Sequence, residues 1–137
     1  MSTRQAAEGE DPPIESRADL ISVFADGEKP RERWRIGTEH EKFVYRLGDH
    51  RAPSYEEPGG IRDLLTGLMR FGWEPVHEGE NIIALSGADG AISLEPAGQL
   101  ELSGAPLDNL HQTCAETARH LDQALDAGVV QRARDFL

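Results

Sequence analysis

The side chains in this chain with the plainest chemistry are two glutamates set two apart, in Glu39-His40-Glu41. In an extended segment that spacing puts both carboxylates on one face, about 7 Å apart. Like charges at that distance repel, so the pair is favourable only where water or a shared cation meets it. A second acidic stretch follows, Ser93-Leu-Glu95-Pro-Ala-Gly-Gln99-Leu-Glu101-Leu-Ser103. Its odd positions are mostly polar and its even positions mostly apolar. Glu95 and Glu101 therefore share a face, with Gln99 between them, if the register survives Pro96-Ala97-Gly98. Proline is disfavoured inside a central strand, and a bulge or an edge is expected there. Four glutamates on one side of a sheet would suit a hard cation. Mg²⁺ takes oxygen ligands, usually one or two carboxylates beside water or phosphate. Glu39, Glu41, Glu95 and Glu101 are the candidate metal ligands, and Gln99 and Ser103 on the same face are candidates for binding substrate. Metal ions there would supply the positive field that an acidic protein needs to bind an anion such as a nucleoside triphosphate. The same alternation also describes glutamates that merely solvate the open face of an antiparallel sheet.

The elements that must position these residues are read from periodicity and punctuation. Residues 1–13 are polar, end in Asp11-Pro12-Pro13 and show no period, which predicts a disordered leader. Ser16, with Asp19 three residues on, opens a helix whose apolar side is Leu20, Ile21, Val23 and Phe24, and Gly27 ends it. Trp34 to Tyr45 reads as a strand, and Gly48 to Gly60 as a loop. Ile61, Leu64, Leu65, Leu68 and Met69 recur at helical spacing, and Gly72 closes that helix. Asn81 to Ser86 and Ala91 to Glu95 form a hairpin across Gly87-Ala-Asp-Gly90, and Gln99 to Ser103 continues or bends from the second strand. Leu107, Leu110, Cys114, Ala118, Leu121 and Leu125 mark a last helix with Asp108 as N-cap and Gly128 breaking it near its end. The order α-β-α-β-β-α predicts an α+β fold, an antiparallel sheet with flanking helices.

Composition removes several classes. The 137 residues allow one domain of ordinary size, with a modest core given 38% hydrophobic and 6% aromatic residues. A formal net charge of −11 repels a phosphate backbone and argues against nucleic-acid binding. No apolar run is long enough to span a bilayer, so no membrane partner is expected. One cysteine cannot form an internal disulfide, which fits a reducing cytoplasm.

Other signals carry less. His40-Glu41 begins like a zinc-protease motif, but Val44 stands where the second histidine belongs. Pro58-Gly-Gly60 lacks the spacing and the ending of a phosphate loop. Cys114 lies on the apolar stripe of the last helix and reads as a buried structural thiol. His111 and His120 share no helical face and read as surface or boundary residues. His40 points away from Glu39 and Glu41 and has a structural role. Trp34, Phe71 and Trp73 read as core anchors.

Trp34-Arg-Ile-Gly-Thr-Glu-His-Glu-Lys-Phe43, the stretch Ser93-Leu-Glu-Pro-Ala-Gly-Gln-Leu-Glu-Leu-Ser-Gly-Ala-Pro106 and Leu110-His-Gln-Thr-Cys-Ala-Glu116 together resemble the glutamate–cysteine ligases of the plant and proteobacterial type. The resemblance runs from about Ala18 to the last residue and covers only the N-terminal part of such an enzyme. It implies that residues 14–137 are the first part of a catalytic domain similar in fold to that of glutamine synthetase, a curved antiparallel sheet forming a funnel. Such enzymes join the γ-carboxyl of glutamate to the amine of cysteine, with ATP as co-substrate and Mg²⁺ as cofactor, through γ-glutamyl phosphate, in the first step of glutathione synthesis. ATP, glutamate and cysteine are the implied small-molecule partners. The resemblance places Glu39 and Glu41 at the metal-binding pair of the first strand, and Glu95 and Glu101 at further carboxylates of the same funnel. No residue for the chemical step and no phosphate-clamping arginine is recognisable, so the chain alone is expected to be inactive. Ala97 stands where the family usually has a second glycine, and Leu100 where it usually has phenylalanine. Two alternatives stay open: a non-catalytic binding module built on the fold, and a γ-glutamyl ligase with another acceptor amine.

Overall fold

A computed structural model of the chain describes residues 13–46, 48–88 and 90–127. The leader expected over 1–13 lies outside them except for Pro13, as do Gly128 and the chain end.

Helix α1 (Arg17–Gly27) starts as its sequence demands. Ser16 Oγ accepts from the Asp19 N–H at 3.3 Å, and Asp19 Oδ2 accepts from the Ser16 N–H at 2.7 Å, a closed capping box. The backbone N–H groups of Glu15 and Ser16 hold the Asp19 carboxyl below the usual carboxylate range. Leu20, Ile21, Val23 and Phe24 are exposed rather than packed. A 3₁₀ turn at Arg31–Arg33 follows. Trp34 is no core anchor: it is 64% exposed, and its indole N–H donates to the Lys29 carbonyl at 2.8 Å. These elements form one unit ending at Trp34, and everything below belongs to a second that begins at Arg35.

The second unit is built on an antiparallel sheet of five strands in the order β1-β5-β4-β3-β2, where β1 is Glu39–Phe43, β2 Glu74–Glu78, β3 Asn81–Ser86, β4 Ala91–Glu95 and β5 Gln99–Ser103. The α+β class is as read, with three corrections. The first strand is shorter than Trp34–Tyr45; before it, Ile36 makes only an isolated bridge to Leu107, with N–H···O bonds of 2.7 and 2.8 Å. Strand β2 has no counterpart in the sequence reading, because Pro75 and flanking charges hide it. Proline is tolerated there because β2 lies at the edge of the sheet. Finally, β5 neither continues nor bends from β4 but reverses on it through a 3₁₀ turn at Pro96–Gly98, so Pro96 sits in a turn rather than in a strand. Ala97 and Gly98 both take positive φ, 64° and 76°.

Helix α2 (Ile61–Leu68) buries Ile61, Leu64, Leu65 and Leu68 in a core shared with Leu85 of β3, Ile92 of β4 and Leu100 and Leu102 of β5. A 3₁₀ turn at Met69–Phe71 and Gly72 at φ 90° end it, as its glycine predicts. Phe71 and Trp73 pack against that core as expected. Between β2 and β3 the register slips at Val76/His77, which leaves Ile83 as an extra residue on β3. The bulge turns Ile82 toward the core beside Leu85, and Ile83 stays exposed.

Helix α3 (Leu110–Asp126) is capped by Asn109 and not by Asp108. Asn109 Oδ1 accepts from the Gln112 N–H at 3.1 Å and Gln112 Oε1 accepts from the Asn109 N–H at 3.2 Å, while Asp108 pairs with Arg35 at 3.0 Å. The helix also presents the opposite face from the one its leucines predict. Leu110, Cys114, Leu121 and Leu125 are exposed, whereas Glu116, Thr117, His120, Gln123 and Ala124 are half-buried or buried. Two polar bonds accompany this rotation. Trp73 donates its indole N–H to Gln123 Oε1 at 3.0 Å, and Glu116 Oε1 accepts from the Ala105 N–H at 2.8 Å. Cys114 is thus an exposed thiol, and His120, at 2% exposure, is a core residue rather than a surface one.

Candidate functional site

The acidic residues are positioned by strand register. In the β1–β5 pair Glu39 stands opposite Ser103, Glu41 opposite Glu101 and Phe43 opposite Gln99. In the β4–β5 pair Ser93 stands opposite Glu101 and Glu95 opposite Gln99. Directly opposed residues project to the same side of a sheet. Three residues separate Glu95 from Gln99, so the odd positions of β4 match the odd positions of β5. Glu39, Glu41, Glu95, Glu101, Gln99 and Ser103 therefore share one face, and Leu100, Leu102 and Ile92 lie on the other with the core.

Each carboxylate except Glu39 is held by a neighbour. Gln99 Nε2 donates to Glu41 Oε2 at 3.0 Å, Ser103 Oγ to Glu101 Oε1 at 2.8 Å, and Ser93 Oγ to Glu95 Oε1 at 3.2 Å. Exposure is graded across the face: Glu39 and Glu41 on edge strand β1 are open, Glu95 is half-buried, and Glu101 on central strand β5 is 2% exposed. Ser93 is the member that the sequence reading leaves out of the site, although its odd position in β4 already marks it.

Among the described residues, no three His, Cys, Asp or Glu side chains stand close enough to hold a metal ion by themselves. The donor set nevertheless suits a hard cation. It is all oxygen, and the facing pair Glu41 and Glu101 provides the one or two carboxylates that Mg²⁺ takes when water or phosphate completes its shell. Gln99 and Ser103 each spend a donor on one of these carboxylates, so they orient the acidic groups whatever else they bind.

The reverse face of β1 carries His40 and Lys42. Lys42 Nζ donates to the His40 carbonyl at 2.6 Å and lies 3.2 Å from His40 Nδ1. Burial lowers Lys42 to about 8, with attraction from Glu101 opposing the shift. Burial, and then the Lys42 cation, lower His40. His40 is thus on the face away from Glu39 and Glu41, as read.

A family model described as glutamate–cysteine ligase family 2 matches residues 35–129. A chloroplastic glutamate–cysteine ligase of Nicotiana tabacum is 54% identical over 109 residues, which is 79% of this chain and 20% of the relative. The chloroplastic enzyme of Medicago truncatula is also 54% identical over 109 residues, 79% of this chain and 21% of its own length. Glutamate–cysteine ligase A, chloroplastic, of Oryza sativa subsp. japonica is 49% identical over 114 residues, 82% of this chain and 23% of the relative. The chain spans about a fifth of the length of these curated relatives. Their names also correct the expectation of a cytoplasmic protein, because the relatives are chloroplastic. A lone cysteine fits any reducing compartment and does not single out the cytoplasm.

Proposed function

The chain belongs to glutamate–cysteine ligase family 2, and from that premise we propose that its acidic sheet face is the metal-holding part of an ATP-dependent ligase. The reaction joins the γ-carboxyl of glutamate to the amine of cysteine through γ-glutamyl phosphate, the first step of glutathione synthesis. The sheet would be part of a larger funnel of the glutamine-synthetase kind. ATP, glutamate and cysteine are the small-molecule partners of the complete enzyme. The observation that carries this reading is the placement of Glu41 directly opposite Glu101, with Glu39 and Glu95 on the same face.

Glu39, Glu41, Glu95 and Glu101 would hold Mg²⁺, which when bound neutralises phosphate charge and aligns the reacting oxygens. The chain's own part is to bind and orient. Buried Glu101 gives a fixed carboxylate, because Ser103 engages one oxygen and the backbone of a central strand holds the residue. Exposed Glu41 sits across from it, steadied by Gln99. Beyond those carboxylates, Gln99 and Ser103 are proposed to bind substrate. No group for the chemical step is assigned, and the activity is proposed for a complete enzyme rather than for this chain alone.

A titration with Mn²⁺, read by its electron-spin signal and competed with Mg²⁺, tests the reading. Glu41→Gln together with Glu101→Gln is expected to weaken binding by about tenfold or more, since each removes a charged ligand, while the amide spectrum keeps its fold. Unchanged affinity in the folded double variant would leave the face a merely solvated one. The unaltered chain, given ATP, Mg²⁺, glutamate and cysteine, is expected to yield no γ-glutamylcysteine above a protein-free control.

A further inference from the structure

A cavity of about 240 Å³ lies on the other side of the sheet from the glutamates, between Trp73, Leu102 of β5 and the inner face of α3. Its polar lining comes from Glu116, Arg119, His120 and Gln123. His120 is 2% exposed, and neither of its ring nitrogens has a hydrogen-bond partner among the described residues. Glu116 Oε2 is also buried and unpartnered, although Oε1 of the same carboxylate is engaged by the Ala105 N–H. Buried polar atoms of this kind nearly always meet a partner, so three of them facing one hollow mark a space that something polar fills.

The lining sorts by charge. Glu116 offers a carboxylate oxygen. Arg119, one helical turn on, offers a guanidinium that makes no ion pair among the described residues. Their helical spacing would let these two side chains bridge each other, yet they do not. His120 is neutral at pH 7, since burial and then the Lys42 and His40 charges lower it to about 4. A neutral imidazole has one donor and one acceptor nitrogen. Leu102 and the Trp73 ring give the remaining wall an apolar surface.

We propose that this cavity binds a small zwitterion, a free α-amino acid with a small apolar side chain. Its ammonium goes to Glu116 Oε2, its carboxylate to Arg119, its side chain to the Trp73 and Leu102 wall, and His120 bonds one of its polar ends. A carboxylate and a guanidinium that stay apart across a hollow, with an uncharged imidazole beside them, match the two opposite charges of one ligand. A simple anion would meet the Glu116 oxygen unfavourably, and a simple cation would meet Arg119. The site is separate from the acidic face, so its test reads different residues from a metal titration.

The test uses the 137-residue chain, with the His120 ring followed by nuclear magnetic resonance. L-valine is the probe, and its two halves, isovalerate and isobutylamine, are the controls. L-valine is expected to move the His120 ring signals saturably, and each half to do so about tenfold more weakly or worse, since each loses a charge-assisted contact. Arg119→Gln lies on the exposed side of the lining and should keep the fold while weakening L-valine by a similar factor. Glu116→Gln should weaken it too; where that variant loses the fold through Ala105, Arg119→Gln decides. Response to isovalerate as strong as to L-valine would make this an anion pocket and overturn the proposal. Unmoved ring signals at every attainable valine concentration would leave water as the only occupant and overturn it equally.

Discussion

Ala97 closes the β4–β5 turn at φ 64° and ψ 16°, a left-handed conformation that crowds an L side chain's Cβ against its own carbonyl. Glycine takes it freely, and the next residue, Gly98, already has a positive φ. Ala97→Gly is therefore expected to raise stability by about 0.5–1 kcal/mol, the relieved strain outweighing the extra freedom given to the unfolded chain. A thermal melt reads this as a gain of roughly 2–4 °C, and a lower midpoint would refute it. At this scale the sequence is legible where side chains alternate and opaque where the backbone bends. Spacing alone puts the glutamates on one face, because the period of a strand is fixed. It does not reveal the conformation of Ala97, since alanine bears no mark of a turn that glycine would announce. Cys114 and His120 come out inverted for another reason: apolar spacing gives the axis of a helix stripe, but the side that packs is decided by partners such as Trp73 and Ala105.

Helix α3 shows what that inversion does at the level of elements. It brings His120 toward β1, where Lys42 and His40 supply positive charge, and beside Glu116 of its own helix. The folded ring is held down to about 4, while an unfolded histidine takes its proton near 6.5. Between these values the unfolded chain binds more protons than the folded one, so acidification favours unfolding. Stability from this residue is complete above about 6.5 and falls as pH drops toward about 4, by on the order of 2 kcal/mol. Lys42 works in the opposite window. Its folded value of about 8 lies below the usual 10.5, so its contribution improves as pH rises from 8 toward 10.5. Urea unfolding at about pH 7, 6 and 5 is expected to show the decline in the wild type and a flatter profile in His120→Leu. Parallel profiles would remove His120 as the cause. Elements are legible in proportion to their apolar content: α2, whose buried side chains Ile61, Leu64, Leu65 and Leu68 form one stripe, is readable nearly to its ends, whereas β2 hides behind Pro75.

For the whole molecule, the outward stripe of Leu110, Cys114, Leu121 and Leu125 adds apolar surface to a chain whose net charge is −11. Edge strand β1 ends in Phe43, which is 73% exposed. Like charge opposes association and apolar stripes promote it, so screening decides the balance. Sedimentation is expected to show self-association that grows with salt, and Leu121→Gln with Leu125→Gln to reduce it; a monomer at every salt and protein concentration would count against this. Fold class and family are both legible at this level, because a run such as Gly37-Thr-Glu-His-Glu-Lys-Phe43 carries far more information than composition does. The sheet's connectivity also sets an order in time. Strands β2 to β5 follow one another through short turns, whereas β1 reaches β5 across a gap of 58 residues between Glu41 and Gln99. Local closures precede distant ones on kinetic grounds. In pulse-labelled refolding, amides of β4 should gain protection before those of β1, and the reverse order would contradict this. The acidic face would then be the last part of the sheet to exist, assembled when two like-charged strands meet, and a cation present at that moment would speed the final step.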